Sequence, residues 1–292
     1  MAVVPNSFMQ EVFDEVAGYR DSCKPVKAGH LERMFRKELS PLVMHPNPDD
    51  EFSVPEIGPN MEIIGRYKDI IRNSPPVMGI QFEEPVIVEK MLPKGYMLIN
   101  GHHRWAAAKQ MGLEKINARV VNLIHKSDLN RMSELCRGEK LVSFDLDEVV
   151  FAADPSEAEK PLSFFKRRHY TERIRRGVPE VFAAFKENGF DVWVYTSGYR
   201  SEEYLRTLFK AYKAEPDGMI NGFGERKSKR QKEIIHSLFD SYKESVHVDL
   251  AGVVVLKRRF LIMGTAFNES ELEVVEISRA FRDAAIPVYK YP

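Results

Sequence analysis

Residues 95–112 read Gly-Tyr-Met-Leu-Ile-Asn-Gly-His-His-Arg-Trp-Ala-Ala-Ala-Lys-Gln-Met-Gly. The first part, Tyr96 to Asn100, mixes aromatic and aliphatic side chains and suits a strand. From His102 the composition changes to strong helix formers and ends at Gly112, a residue that commonly follows a helix C-terminus. Gly101 lies between the two, so the stretch predicts a strand, a tight turn and a helix start.

Working outward, EEPVIVEK (83–90) and INARVVNLI (116–124) read as flanking strands, and residues 62–73 carry helical spacing. Upstream, PLVMHPNPDDEFSVPEIGPN (41–60) holds five prolines, which forbid any long regular element. A loop of that length in a compact domain is usually functional or a linker. Before it, Phe8, Val12, Phe13 and Val16, then Leu31, Met34, Phe35 and Leu39, predict two helices broken around Lys24-Pro25.

The turn itself has a chemistry. Backbone amides at a helix start, together with the helix dipole, attract anions, and a guanidinium can hold phosphate with two parallel hydrogen bonds. Gly101, His102, His103 and Arg104 are therefore candidate phosphate-binding residues.

The run EEPVIVEKMLPKGYMLINGHHRWAAAKQMGLEKINARVV resembles the ParB/sulfiredoxin-like domain over roughly residues 40–125. In that superfamily a GxxR turn grips nucleotide phosphates, which implies ATP, ADP or CTP as a ligand here. Sulfiredoxins carry a cysteine directly before His-Arg; this chain has His102 there, so that chemistry is excluded. Two members remain for comparison. ParB proteins use the fold as a CTP-dependent DNA clamp, whereas free serine kinases share GHHR and draw a base from an upstream acid. Asp49, Asp50 and Glu51 lie in the corresponding region.

The second half alternates helical and apolar segments. After LVSFDLDEVVF (141–151) come a helix over 160–188, the strand FDVWVYTSG, a helix over 201–213, the strand MINGF, a helix over 228–243 and the strand VHVDL. Such alternation predicts parallel βαβ units in an α/β layered fold. Ligands of open parallel sheets bind beyond the carboxyl ends of the strands. That is where Asp145 and Asp147, then Thr196 and Ser197, and then Asp249 are expected, with RKSKRQK (226–232) between the last two. Paired carboxylates suit a hard cation, one of them can attack phosphorus, and a lysine can neutralise a transferring phosphoryl group.

The order and spacing resemble the haloacid dehalogenase (HAD) superfamily. The resemblance implies Asp145 as the nucleophile that forms an aspartyl-phosphate and Asp147 as its general acid/base. It also implies Thr196 (or Ser197) as the second motif, Lys227 (or Lys229) as the third, and Mg²⁺ bound by Asp145, Asp147 and Asp249. The family usually presents two acids at the last position, whereas Asp249 is followed by Leu250, Ala251 and Gly252. The short stretch between Asp147 and Thr196 allows at most a small cap, and the basic run 166–176 is placed to line the mouth of such a site or to form a solvated helix face.

The composition bounds these readings. The chain has 292 residues, 43 basic and 43 acidic, and 43% hydrophobic content, enough for real cores and inconsistent with wholesale disorder. The charges also balance when the chain is divided after Arg137, so neither half is a basic polyelectrolyte and nucleic acid is not an expected partner. Two cysteines, far apart and outside any CxxC, give no disulfide framework or zinc site, and no long apolar run marks a membrane span. The expectation is a cytoplasmic α/β protein of mixed α+β and Rossmannoid halves. It comprises a helical extension (1–39), a ParB/sulfiredoxin-like nucleotide-binding domain (40–125), a linker (126–138) and a HAD-like parallel-sheet domain (139–292). Its leading function is Mg²⁺-dependent hydrolysis or transfer of a phosphoryl group on a small molecule. The alternatives are a small-molecule kinase in the first half and a non-catalytic, nucleotide-gated binding module.

Overall fold

The computed structural model describes residues 7–34, 37–73, 82–93, 95–136, 138–162, 170–222, 242–249 and 252–257. The chain divides into two compact units, Met1–Asn122 and Leu123–Pro292.

The first unit opens with α1 (Ser7–Tyr19), whose Phe8, Val12 and Val16 recur every fourth residue and enter the core. Its sheet uses β1 (Lys24–Pro25), β2 (Lys37–Leu39), β3 (Met44–His45), β4 (Val86–Leu92), β5 (Tyr96–Asn100) and β6 (Ile116–Val121). The order is β2-β6-β4-β5-β3, with β1 also pairing with β4. Pairing is mixed: β4 runs parallel to β6 and antiparallel to β5. The short α2 (His30–Met34), then α3 (Met61–Asn73) and α4 (His102–Gln110), complete the unit. Residues expected as an N-terminal extension thus supply part of this core and two short strands. Trp105, fully buried, ties α4 to the proline-rich run by donating its indole N–H to the Pro41 carbonyl at 2.8 Å.

The second unit begins with α5 (Lys126–Leu135), whose Leu129 and Met132 pack into that unit's core; much of the segment expected as a linker is therefore a packed helix. Next come β7 (Lys140–Asp145), a single π-type turn (Leu146–Val150), α6 (Val178–Glu187), β8 (Phe190–Tyr195), α7 (Glu202–Tyr212), β9 (Gly218–Ile220), β10 (Glu244–Asp249) and β11 (Gly252–Lys257). The sheet order is β11-β10-β7-β8-β9. β10, β7, β8 and β9 run parallel, and β11 returns antiparallel on β10. Phe144, Phe182, Trp193 and Phe209 fill the core between the sheet and its helices.

The helix expected over 160–188 is much shorter among the described residues. Gly177, in the left-handed region at φ 86°, starts α6 with a proline in its first turn. Upstream, Phe151 bridges to Ile174 and Ala158 to Arg175, so that the chain there is tied in short antiparallel contacts. The expected helix over 228–243 lies almost wholly outside the described residues. Among the described residues no helix is long and apolar enough to cross a membrane.

Candidate functional site

The turn between β5 and α4 is built on Gly101. Its φ is 92°, and a Cβ there would lie 2.9 Å from Val86 Cγ1 and 3.0 Å from Arg104 Nη2, so both the backbone and the packing require glycine. α4 is nine residues long, and its first backbone N–H groups have no partner within the helix. Arg104 folds back over this turn. Nη1 donates to Glu84 Oε2 at 3.2 Å and Nη2 to Asn100 Oδ1 at 3.4 Å, while Nε is buried without a hydrogen-bond partner. A guanidinium only 8% exposed that leaves a donor unsatisfied is costly unless a ligand completes it.

The two histidines do something the sequence did not show. His102 Nε2 accepts the backbone N–H of Asn47 at 3.3 Å, and His103 Nε2 accepts that of Asn60 at 3.2 Å. An accepting Nε2 places the proton of a neutral ring on Nδ1, and His102 Nδ1 faces Asp50 Oδ1 at 3.7 Å. Burial pushes both histidines below the ordinary imidazole value, with Asp50 opposing the shift in each. Phe52 lies against both rings, at centroid distances of 5.3 and 5.2 Å. The proline-rich run is thus fastened to the helix start at both of its ends. Of the three upstream acids, Asp50 is the one placed beside His102; its own carboxylate also accepts from Phe52 N at 2.9 Å.

With this geometry in place, the comparisons with known proteins become informative. Residues 78–133 match the ParB N-terminal domain. The match takes in β4, β5, α4 and β6, with the GHHR turn near its centre, and it runs into α5. No curated protein matches the chain. Among solved structures, it is similar to the C-terminally truncated chromosome-partitioning protein ParB from Caulobacter crescentus complexed with CTP-gamma-S. The identity is 22% and the TM-score 0.24, over 30% of this chain and 43% of that one, too little overlap to carry a structural argument. The match gives no support to the exclusion of nucleic acid drawn from charge balance.

In the second unit Asp145 ends β7, Thr196 follows β8 and Asp249 ends β10, all at the carboxyl edge of parallel strands. Asp145 Oδ1 accepts from the amides of Asp147 and Glu148, both at 2.8 Å, which turns the chain sharply after the strand. Burial raises the Asp145 pKa above the usual aspartate value; those amides oppose the shift, and the charges of Glu148 and Asp147 add to it. Thr196, fully buried, donates its hydroxyl to Asp147 Oδ2 at 2.5 Å. The structure thus brings Asp147 and Thr196 together, and Ser197 lies in the loop beyond.

Arg200 is the site residue that sequence reading missed. Its Nη2 lies 2.8 Å from Asp147 Oδ1, its Nη1 donates to Thr196 Oγ1 at 3.0 Å, and its Nε donates to Glu172 Oε1 at 3.0 Å. Glu172 also accepts from the Tyr204 hydroxyl, and the guanidinium sits 5.1 Å from the centre of the Phe151 ring. Gly198 makes room for this, since a Cβ there would fall 2.3 Å from Arg200 Nη1. An arginine five residues past a strand end carries no spacing signal of its own. Lys227 and Lys229 lie outside the described residues, as do Lys166, Arg167 and Arg168 of the basic run and the side chain of Asp249. Among the described residues no group of three or more His, Cys, Asp or Glu is placed to hold a metal.

Proposed function

We propose that the first unit binds the phosphates of a nucleotide at the Gly101–Arg104 turn. One observation carries this reading: Arg104, nine-tenths buried, folds onto the start of a nine-residue helix with its Nε unsatisfied. Phosphate oxygens seated there would accept from Nε and from the first amides of α4, and their charge would meet the positive end of the helix dipole. His102 and His103, each spending Nε2 on a backbone amide, shape the wall of the site rather than supplying charge. The match to the ParB N-terminal domain supports the assignment, with CTP, ATP and ADP as the candidates. Calorimetric titration of the full chain with each nucleotide tests it; Arg104→Ala is expected to abolish the binding seen with the unaltered protein.

A second reading is favoured by the Thr196–Asp147 contact: phosphoryl transfer in a HAD-like second unit. Asp145 would attack phosphorus to give an aspartyl-phosphate as the P–O bond to the leaving group breaks. Asp147, aligned by Thr196 and Arg200, would move the proton. Asp145 and Asp249 end neighbouring parallel strands; in this reading their carboxylates would hold Mg²⁺, which when bound would offset phosphoryl charge. Lys227 or Lys229 would add a cation. The substrate would be a phosphorylated small molecule, and loss of p-nitrophenyl phosphate turnover in Asp145→Asn is the expected result.

A further inference from the structure

The ion pair at Arg104 is lopsided. Glu84 Oε2 lies 3.2 Å from Nη1, yet the Glu84 side chain is 80% exposed while that of Arg104 is 9% exposed. Glu84 immediately precedes Pro85 and β4, so a carboxylate at the start of the central strand reaches over a buried cation. Nη2 and Nε pack within 3.0 and 3.1 Å of the position a Gly101 Cβ would occupy, and Asn100 gives Nη2 a second, longer contact.

We infer that Glu84 is a competing counter-ion that weakens phosphate binding at the Arg104 site, the more so the more charge the ligand carries. This rests on the nucleotide reading of that site and adds to it a residue that selects by phosphate number. A carboxylate and a phosphate oxygen compete for the same planar fork of N–H donors. A mostly exposed carboxylate gains little from the pairing, so displacing it is cheap for a polyphosphate that also gains the α4 amides. A monophosphate brings less charge and is repelled less by the same carboxylate. The repulsion grows with every ligand charge, and salt screens it. Glu84 therefore lowers affinity for all phosphates and lowers it most for those that carry the most charge, so its removal yields the largest gain for a triphosphate.

The test uses the full chain and calorimetry, with CTP, CMP and inorganic tripolyphosphate as probes, on the unaltered protein, Glu84→Gln and Glu84→Ala. Both variants are expected to bind CTP and tripolyphosphate more tightly, by up to about fivefold, and CMP by less, with the gain shrinking as salt rises. Circular dichroism matched to the unaltered protein confirms that each variant is folded; Glu84→Gln preserves the shape if the alanine variant fails. Equal affinity in the unaltered protein and Glu84→Gln overturns the inference. Weaker binding in Glu84→Gln also overturns it, because it would make Glu84 a residue that positions Arg104. No binding of any probe to any of the three proteins sinks the nucleotide reading itself, and the inference with it.

Discussion

The backbone amide of Asn47 donates to Nε2 of His102 at 3.3 Å, joining positions 55 residues apart in the chain. With the matching bond from Asn60 to His103, it makes two imidazoles into fasteners for an irregular, proline-rich loop. A loop without regular hydrogen bonding needs such anchors, because its backbone groups have no ladder to join.

This arrangement makes stability depend on pH in a defined direction. Both histidines titrate below the ordinary value, so the unfolded chain takes up protons near pH 6.5 that the folded chain refuses. Stability is fully present above that pH and is lost as pH falls below about 6.5 toward the lower folded-state values. Urea midpoints measured across this range should fall with acidification, and the slope should flatten in His102→Gln. An unchanged slope would assign the dependence to other groups.

Gly101→Ala places a residue with a Cβ at φ 92° and against Val86 and Arg104. The conformation alone costs about 1–2 kcal/mol, and the contact adds to it. Thermal unfolding should show the loss, and phosphate binding should weaken as Arg104 is displaced. A variant with unaltered melting temperature would show that the turn adjusts.

If the second unit transfers phosphoryl groups, Arg200 acts through Asp147. One guanidinium faces two carboxylates, Asp147 and Glu172, so its charge is already matched and its part is to fix Asp147 rather than to attract substrate. Asp147→Asn should lower kcat for p-nitrophenyl phosphate by roughly 10²–10⁴-fold, the range of general acid–base catalysis. Arg200→Ala should lower kcat with little change in KM, yet add nothing in the Asp147→Asn background. Independent, additive losses would place Arg200 on the substrate instead.

Without Mg²⁺, burial holds the Asp145 carboxyl above the ordinary aspartate value near 3.9. An NMR titration of the metal-free chain should show it, and a carboxyl that titrates at or below the ordinary value would contradict the burial seen here.

Much of this was legible from sequence because local signals and burial agreed. Tyr96 to Gln110 folds as strand, glycine turn and helix, and the four parallel strands of the second unit follow from their apolar runs. What stayed hidden depends on contacts between distant residues. Helical spacing over 160–188 overstated α6, since Gly177 and Pro179 start the helix late. The roles of Phe52, Asn47 and Asn60 arise only when the proline-rich run closes on α4, and backbone amides leave no trace in composition. Arg200 was missed for the same reason: its partners Asp147 and Glu172 come from elsewhere in the chain.

The central claim is that Arg104 grips nucleotide phosphate, and calorimetry with CTP, ATP and ADP on the unaltered protein and Arg104→Ala tests it most directly. The account predicts saturable binding of at least one nucleotide to the unaltered chain and none to a folded Arg104→Ala variant. Equal binding by both proteins, or none by either, would contradict it.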